Sequence, residues 1–256
     1  MISPEILPPN RAPDKFSYES NVWLPQPGEN DRVIKVSNRE IGLDDLDILD
    51  FLDAISVNTH PNIYPVEAHA GEMGTSLSER YLYTSFPTLD RLKHTIKEGL
   101  ESNDIKQQQV VDFAAQLADA AGHIHQLGFV HRDIRPRNIF VRSENERLKP
   151  FLADFGLVTR PFFLDKPRDS FNEETPPEIR EGSTMVDARY DVYQIGWMLR
   201  FLTHDYSHGY GQWLAIKPVE QALEEIIGCA TGPIVQRYTN GEVLADELRN
   251  YLDLVA

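Results

Sequence analysis

A chain can build a site only if its chemistry-bearing residues return to one place, and here two short runs set that condition. The first is His131-Arg132-Asp133-Ile134-Arg135-Pro136-Arg137-Asn138-Ile139-Phe140. The second is Ala153-Asp154-Phe155-Gly156. Between them, Ile139-Phe140-Val141 and Leu148 to Leu152 flank a polar turn at Ser143-Glu144-Asn145-Glu146, which reads as a hairpin. That hairpin would carry Asp154 back beside Asn138. The Asp133 carboxylate then suits orienting a hydroxyl nucleophile and accepting its proton. The Asn138 amide and the Asp154 carboxylate suit a magnesium ion that bridges nucleotide phosphates.

The pattern H-R-D-I-x-x-x-N followed by D-F-G resembles the protein kinase family, with identity, order and separation in agreement. The resemblance implies an α+β, two-lobed fold. A proline-rich arm at 1–13 would precede a small β-rich N-lobe at about 14–86 and a helical C-lobe at about 87–256, with the active site in the cleft. It implies ATP and Mg2+ as cofactors and a protein hydroxyl as the phosphoryl acceptor, in the manner of serine/threonine kinases. In that reading Asp133, Lys35 and Arg135 are catalytic. Lys35, Ser17, Ser20, Val22, Asn138 and Asp154 contact the nucleotide, and Asn138 and Asp154 hold the metal.

In the expected N-lobe, residues 16 to 24 and Arg32-Val33-Ile34-Lys35-Val36 read as strands about a Pro-Gly turn. Val33-Ile34-Lys35 resembles the family's V-A-I-K strand, whose lysine contacts the α- and β-phosphates. Aligning on Val22 places Lys15 to Val22 where the family carries G-x-G-x-x-G-x-V. No glycine stands at its three positions, although Ser17 and Ser20 are small. Ile41 to Val57 reads as an amphipathic helix with Leu43, Leu46, Ile48, Leu49, Leu52 and Ile55 as its stripe. It lacks the family's glutamate partner for the lysine, so Asp47 or Asp50 would pair with Lys35. His60-Pro61-Asn62-Ile63 matches the turn after that helix, and Glu79 to Phe86 reads as a strand leading to the hinge.

In the expected C-lobe, Thr88 reads as the cap of a short helix Leu89 to Glu98. A long helix spans 104 to 127, capped by Asp104 and ended by Gly128. Its His123 and His125 read as packing or surface residues, as do His131 and Phe155 by resemblance. Arg132 would pair with a phosphate on the activation segment, 157 to 178, where Thr159, Ser170 and Thr175 are candidate acceptors. Arg135 stands where the family usually has a lysine on the γ-phosphate, and Arg137 reads as a surface charge. Pro176-Pro177-Glu178 resembles A-P-E, with Arg237 the best partner for Glu178. Asp187 to Leu202 reads as a helix whose Asp191-Val192-Tyr193-Gln194-Ile195-Gly196-Trp197 resembles the family's D-V-W-x-x-G, whose aspartate holds the catalytic loop backbone. Residues 203–216 read as a loop or trimmed helix, and Val219 to Cys229 and Val243 to Leu254 as closing helices.

Composition narrows the function classes. A net charge of −15 argues against non-specific contact with nucleic acid or anionic membrane and favours basic partners. Cys229 is the only cysteine, which excludes an intrachain disulfide and a cysteine-based zinc site. The N-terminal residues lack a signal-peptide pattern. A monomer in a reducing cytoplasmic or nuclear compartment is expected. Two readings compete with an active protein kinase. The missing glycines, the absent helix glutamate and Arg135 motivate a pseudokinase, a nucleotide-binding or scaffold module with little catalysis. A small-molecule phosphotransferase of kinase-like fold is disfavoured by the intact Arg132 and Phe155-Gly156.

Overall fold

A computed structural model describes residues 15–16, 20–23, 32–37, 44–70, 77–82, 88–144, 147–161, 173–205, 214–215 and 219–256. The chain divides into two compact units, Met1–Ser85 and Phe86–Ala256.

The first unit is built on a five-stranded sheet, in the order β1-β2-β3-β5-β4. Its strands are β1 (Lys15–Phe16), β2 (Ser20–Trp23), β3 (Arg32–Ser37), β4 (Val66–Ala70) and β5 (Leu77–Leu82), all antiparallel. The strand expected over 16 to 24 is therefore two strands, because β1 folds back on β2 with Phe16 opposite Asn21. Strand β4 has no counterpart in the sequence reading. Its Ala68 and Ala70 are weak strand formers, and pairing with β5 overrides that propensity. Helix α1 (Asp44–Val57) buries Ile48, Phe51, Leu52 and Ile55, spaced as one face of a helix. Leu46, expected on that stripe, is half exposed at 50%. The turn after α1 is closed by His60, whose Nδ1 accepts the Asn62 N–H at 3.1 Å.

The second unit is helical. Helices α2 (Leu89–Ser102) and α3 (Gln107–Gln126) lead to the hairpin of β6 (Ile139–Glu144) and β7 (Arg147–Leu152), the hairpin expected between the two motifs. The short α4 (Pro177–Arg180) and long α5 (Arg189–Thr203) follow. Strands β8 (His204–Asp205) and β9 (Leu214–Ala215) then pair where a loop or trimmed helix was expected. Helices α6 (Gln221–Thr231) and α7 (Gly241–Val255) close the unit.

Two expected caps are not formed. Thr88 flanks α2 but makes no side-chain cap bond, and α2 runs on past Glu98 to Ser102. The Asp104 carboxylate instead accepts the Ser102 hydroxyl at 2.7 Å. Helix α3 starts three residues later, where the Lys106 N–H donates to Gln109 Oε1 at 2.6 Å. Its other end matches expectation, with Gly128 in the left-handed region at φ 86° as a helix-terminating glycine.

Helix α3 is the axis of this core, with Val110, Val111, Phe113, Leu117, Ala121 and Ile124 all buried. Helix α7 lies against it backbone to backbone at Gly122 and Gly241. A Cβ at Gly241 would stand 2.4 Å from the Ala118 carbonyl oxygen and 2.5 Å from the Gly122 nitrogen. Neither neighbour is a side chain that can rotate away. Gly241→Ala is therefore expected to part the two helices and cost about 1–3 kcal/mol, read as a lowered midpoint in urea unfolding.

Candidate active site

Three short connections deliver the loop 131–138. Gly128 turns the chain out of α3. Val130 then pairs with Thr159, exchanging backbone bonds of 2.8 and 3.1 Å. Beyond the loop, the Ala153 N–H donates to the Asn138 carbonyl at 2.9 Å, so the start of β6 and the residue before Asp154 are tied together.

The loop's backbone is held from beneath by α5. Asp191, wholly buried, accepts the N–H of His131 at Oδ2 and of Arg132 at Oδ1, both at 2.8 Å. Its Oδ2 also meets His125 Nε2 at 2.9 Å. The Gly241 N–H donates to His125 Nδ1 at 3.0 Å, so Nδ1 is the acceptor and the ring proton sits on Nε2, facing Asp191. One turn along α5, Gln194 Oε1 accepts the Ile134 N–H at 2.9 Å. Burial acts to raise the Asp191 carboxyl. The His125 hydrogen bond leads the interactions that together outweigh it and hold the group below its ordinary 3.8.

These bonds hold Arg132 in a backbone conformation that sequence alone would not choose. Arg132 and Asp154 both lie in the left-handed region, at φ 68° and 66°. Such conformations cost about 1–3 kcal/mol each and persist where the surroundings over-determine them. His131 is buried and meets the Phe155 ring edge-on at 5.4 Å. Burial pushes its imidazole below the ordinary 6.5, against the pull of Asp191, Asp133 and Asp154. It is a neutral packing residue whose Nδ1 accepts the Asp133 N–H at 3.2 Å.

Asp133 and Asn138 meet directly. Asn138 Nδ2 donates to Asp133 Oδ2 at 2.7 Å and to the Asp133 carbonyl at 2.9 Å. With both bonds on the nitrogen side, the amide presents Oδ1 as an oxygen ligand. Arg135 lies beside them, with Nη1 3.8 Å from Asp133 Oδ1 and Nη2 3.6 Å from Glu174 Oε1. Arg137 is exposed, as expected. Among the described residues, no group of three or more His, Cys, Asp or Glu could cage a metal ion. A donor set of one carboxylate, Asp154, and one amide, Asn138, fits magnesium. That ion keeps waters and substrate phosphates in its shell instead of filling it with protein ligands.

Downstream, Glu178 and Arg237 form the expected pair as a two-point fork, 2.7 and 2.8 Å, and the guanidinium lies 4.8 Å over the Tyr193 ring. Thr159 and Thr175, offered as phosphorylation sites, are each 3% exposed, so neither hydroxyl is presented to a second protein here. Ser170 lies outside the described residues.

The remaining expected site residues belong to the first unit. Lys35 sits on β3 with Val22 directly opposite on β2 and Glu79 opposite on β5. Ser20 pairs with Ser37. Ser17 and the hinge after Leu82 fall outside the described residues. Asp47 and Asp50 both lie on α1. The sequence reading missed Gln194, Glu174 and the bridging role of His125. Glu174 and His125 carry no motif of their own, although His125, next to the last residue of α3, is a signal that could have been weighed; Gln194 falls on an unspecified position of the run that begins at Asp191.

A family model described as the protein kinase domain matches residues 38–220. Serine/threonine-protein kinase PkaA of Streptomyces coelicolor is 32% identical over 184 residues, covering 68% of this chain and 32% of that protein. A probable serine/threonine-protein kinase of Clostridium acetobutylicum is 28% identical over 176 residues, covering 63% of this chain and 24% of its own length. The chain thus spans about a third of the first relative and about a quarter of the second. Among solved structures, the Mycobacterium tuberculosis PknI kinase domain aligns with a TM-score of 0.62 at 20% identity, covering 94% of each chain. That likeness agrees with the α+β kinase-like fold expected from the sequence. Among the described residues no helix is long and apolar enough to cross a membrane.

Proposed function

This chain belongs to the protein kinase family, and from that premise we propose that it transfers the terminal phosphoryl group of ATP to a serine or threonine hydroxyl of a protein. The observation that carries the reading is the Asp133 carboxylate, aimed by Asn138 on a loop whose backbone is pinned from α5. Asp133 orients the acceptor hydroxyl and takes its proton as the oxygen attacks. Asn138 and Asp154 would hold magnesium, which neutralises charge on the phosphates when bound. Arg135 adds a positive charge beside the transferred group, and the family resemblance assigns Lys35 to the phosphates. By the family resemblance Ser17, Ser20 and Val22 would contact the nucleotide. We assign the small lobe to about 14–86 and the helical lobe to about 87–256, a division supported by the two compact units. The net charge of −15 supports a basic protein substrate and a monomer kept soluble by self-repulsion.

The test is transfer of radiolabelled phosphate from ATP to a generic basic protein, with and without magnesium. Magnesium-dependent labelling is the expected result. Nucleotide binding by thermal shift without labelling would put the scaffold reading in its place.

A further inference from the structure

We propose that Asn240 is a self-modification site of this chain, a deamidation centre held latent by His125. The sequence contains one Asn-Gly step, Asn240-Gly241. At such a step the backbone nitrogen that follows can attack the asparagine side chain, because glycine puts no Cβ beside the approaching amide. The Gly241 nitrogen bonds to Asn240 Cγ, and Nδ2 leaves as ammonia, carrying off the proton that the nitrogen gives up. The product is a cyclic imide. Water then opens it at either carbonyl, to aspartate or to isoaspartate. The reaction consumes water alone and needs no oxidant or metal.

Both reacting groups are engaged in the fold. The Gly241 N–H donates to His125 Nδ1 at 3.0 Å, and Gly241 is buried. Asn240 caps α7, its Oδ1 accepting the Val243 N–H at 3.0 Å. Its own carbonyl accepts the Leu244 N–H at 3.3 Å. Ring closure must swing the side chain off Val243 and turn the Gly241 nitrogen toward it. That nitrogen has no room to turn while α7 is seated, since a Cβ on Gly241 would stand 2.4 Å from the Ala118 carbonyl oxygen. Closure therefore waits until the first turn of α7 opens. His125 is a firm latch because its Nε2 is held by the buried Asp191 at 2.9 Å. The two products differ in consequence. Aspartate caps a helix as well as asparagine does, and its charge suits that end. Isoaspartate routes the main chain through the side chain and lengthens it by a methylene. At this close contact the longer chain would draw the Gly241 N–H off His125 and unseat α7.

The experiment ages the full chain at neutral pH and follows Asn240 by peptide mapping, in which asparagine, aspartate and isoaspartate elute apart. Conversion in folded wild type should be at least about tenfold slower than in the same chain held in denaturing urea. His125→Ala should speed conversion in the folded chain by at least about fivefold, the worth of one hydrogen bond. That variant also takes a donor from Asp191, so a second measurement uses wild type alone. Urea below the unfolding transition should raise conversion at Asn240 and hydrogen exchange of the Gly241 amide by the same factor. The isoaspartate fraction should also unfold at lower urea than the aspartate fraction. Three results would each overturn the proposal: equal conversion with and without denaturing urea, a folded His125→Ala chain that converts no faster, or conversion that does not follow exchange of the Gly241 amide. If His125→Ala does not fold, the exchange comparison decides.

Discussion

Asp133→Asn is expected to lower phosphoryl transfer by about a thousandfold, the range of a positioned general base. Asparagine keeps the shape but loses the charge and one of the two acceptor oxygens. Asn138 Nδ2 now donates to Oδ2 at 2.7 Å, so the asparagine oxygen would be drawn to that bond and its NH2 left facing the acceptor hydroxyl. Two donors would then face each other where a proton must be received. The fold should barely change, since the residue is only part-buried, and thermal unfolding should shift by no more than about 1 kcal/mol. Magnesium-dependent ATP binding should persist, because its oxygen ligands are other residues. Retention of more than a tenth of wild-type turnover would remove Asp133 from the role proposed for it.

Asp191→Asn should have the larger effect on stability. The carboxylate takes three donors, from His131, Arg132 and His125. An amide offers one oxygen, so its NH2 must face at least one of them whichever way it turns. That leaves a buried N–H without an acceptor and a donor pressed against a donor. The expected cost is about 3–5 kcal/mol, as for a broken buried polar pair, with transfer activity lost alongside. The pH dependence has a definite sign. The folded carboxyl titrates below its ordinary 3.8, so its contribution is complete above that value and disappears as pH falls through the folded pKa. The gap between wild type and variant in urea unfolding should therefore be full at pH 7 and narrow below about pH 4. A gap that is small at neutral pH would show the loop is held by other means.

What the sequence made legible was local. The hairpin of β6 and β7 follows from two apolar runs and a polar turn. The meeting of Asp133 with Asn138 follows from residues five apart on one tight loop. Gly128 announces the end of α3 because few other residues take that conformation. The resemblance added two long-range ties, Glu178 to Arg237 and Asp191 to the loop backbone. What was hidden depended on neighbours that no spacing reveals. Asp104 looked like a cap until Ser102 captured its carboxylate. Thr159 looked like a phosphoacceptor until pairing with Val130 buried it. Alanine-bearing β4 looked like nothing until β5 lay beside it. Glu174 has ordinary sequence surroundings and Gln194 an unspecified place in the run after Asp191, and both acquire meaning only through the atoms that they approach.

The His125 ring has a consequence for how the far terminus and the chemistry communicate. One nitrogen receives the first amide of α7 and the other is spent on Asp191. A single imidazole thus fastens the last helix to the floor under Asp133. Prising that helix away would leave the ring without its tautomeric anchor and let its proton migrate to the wrong side. Damage done at α7 would then be felt at the loop that carries Asp133.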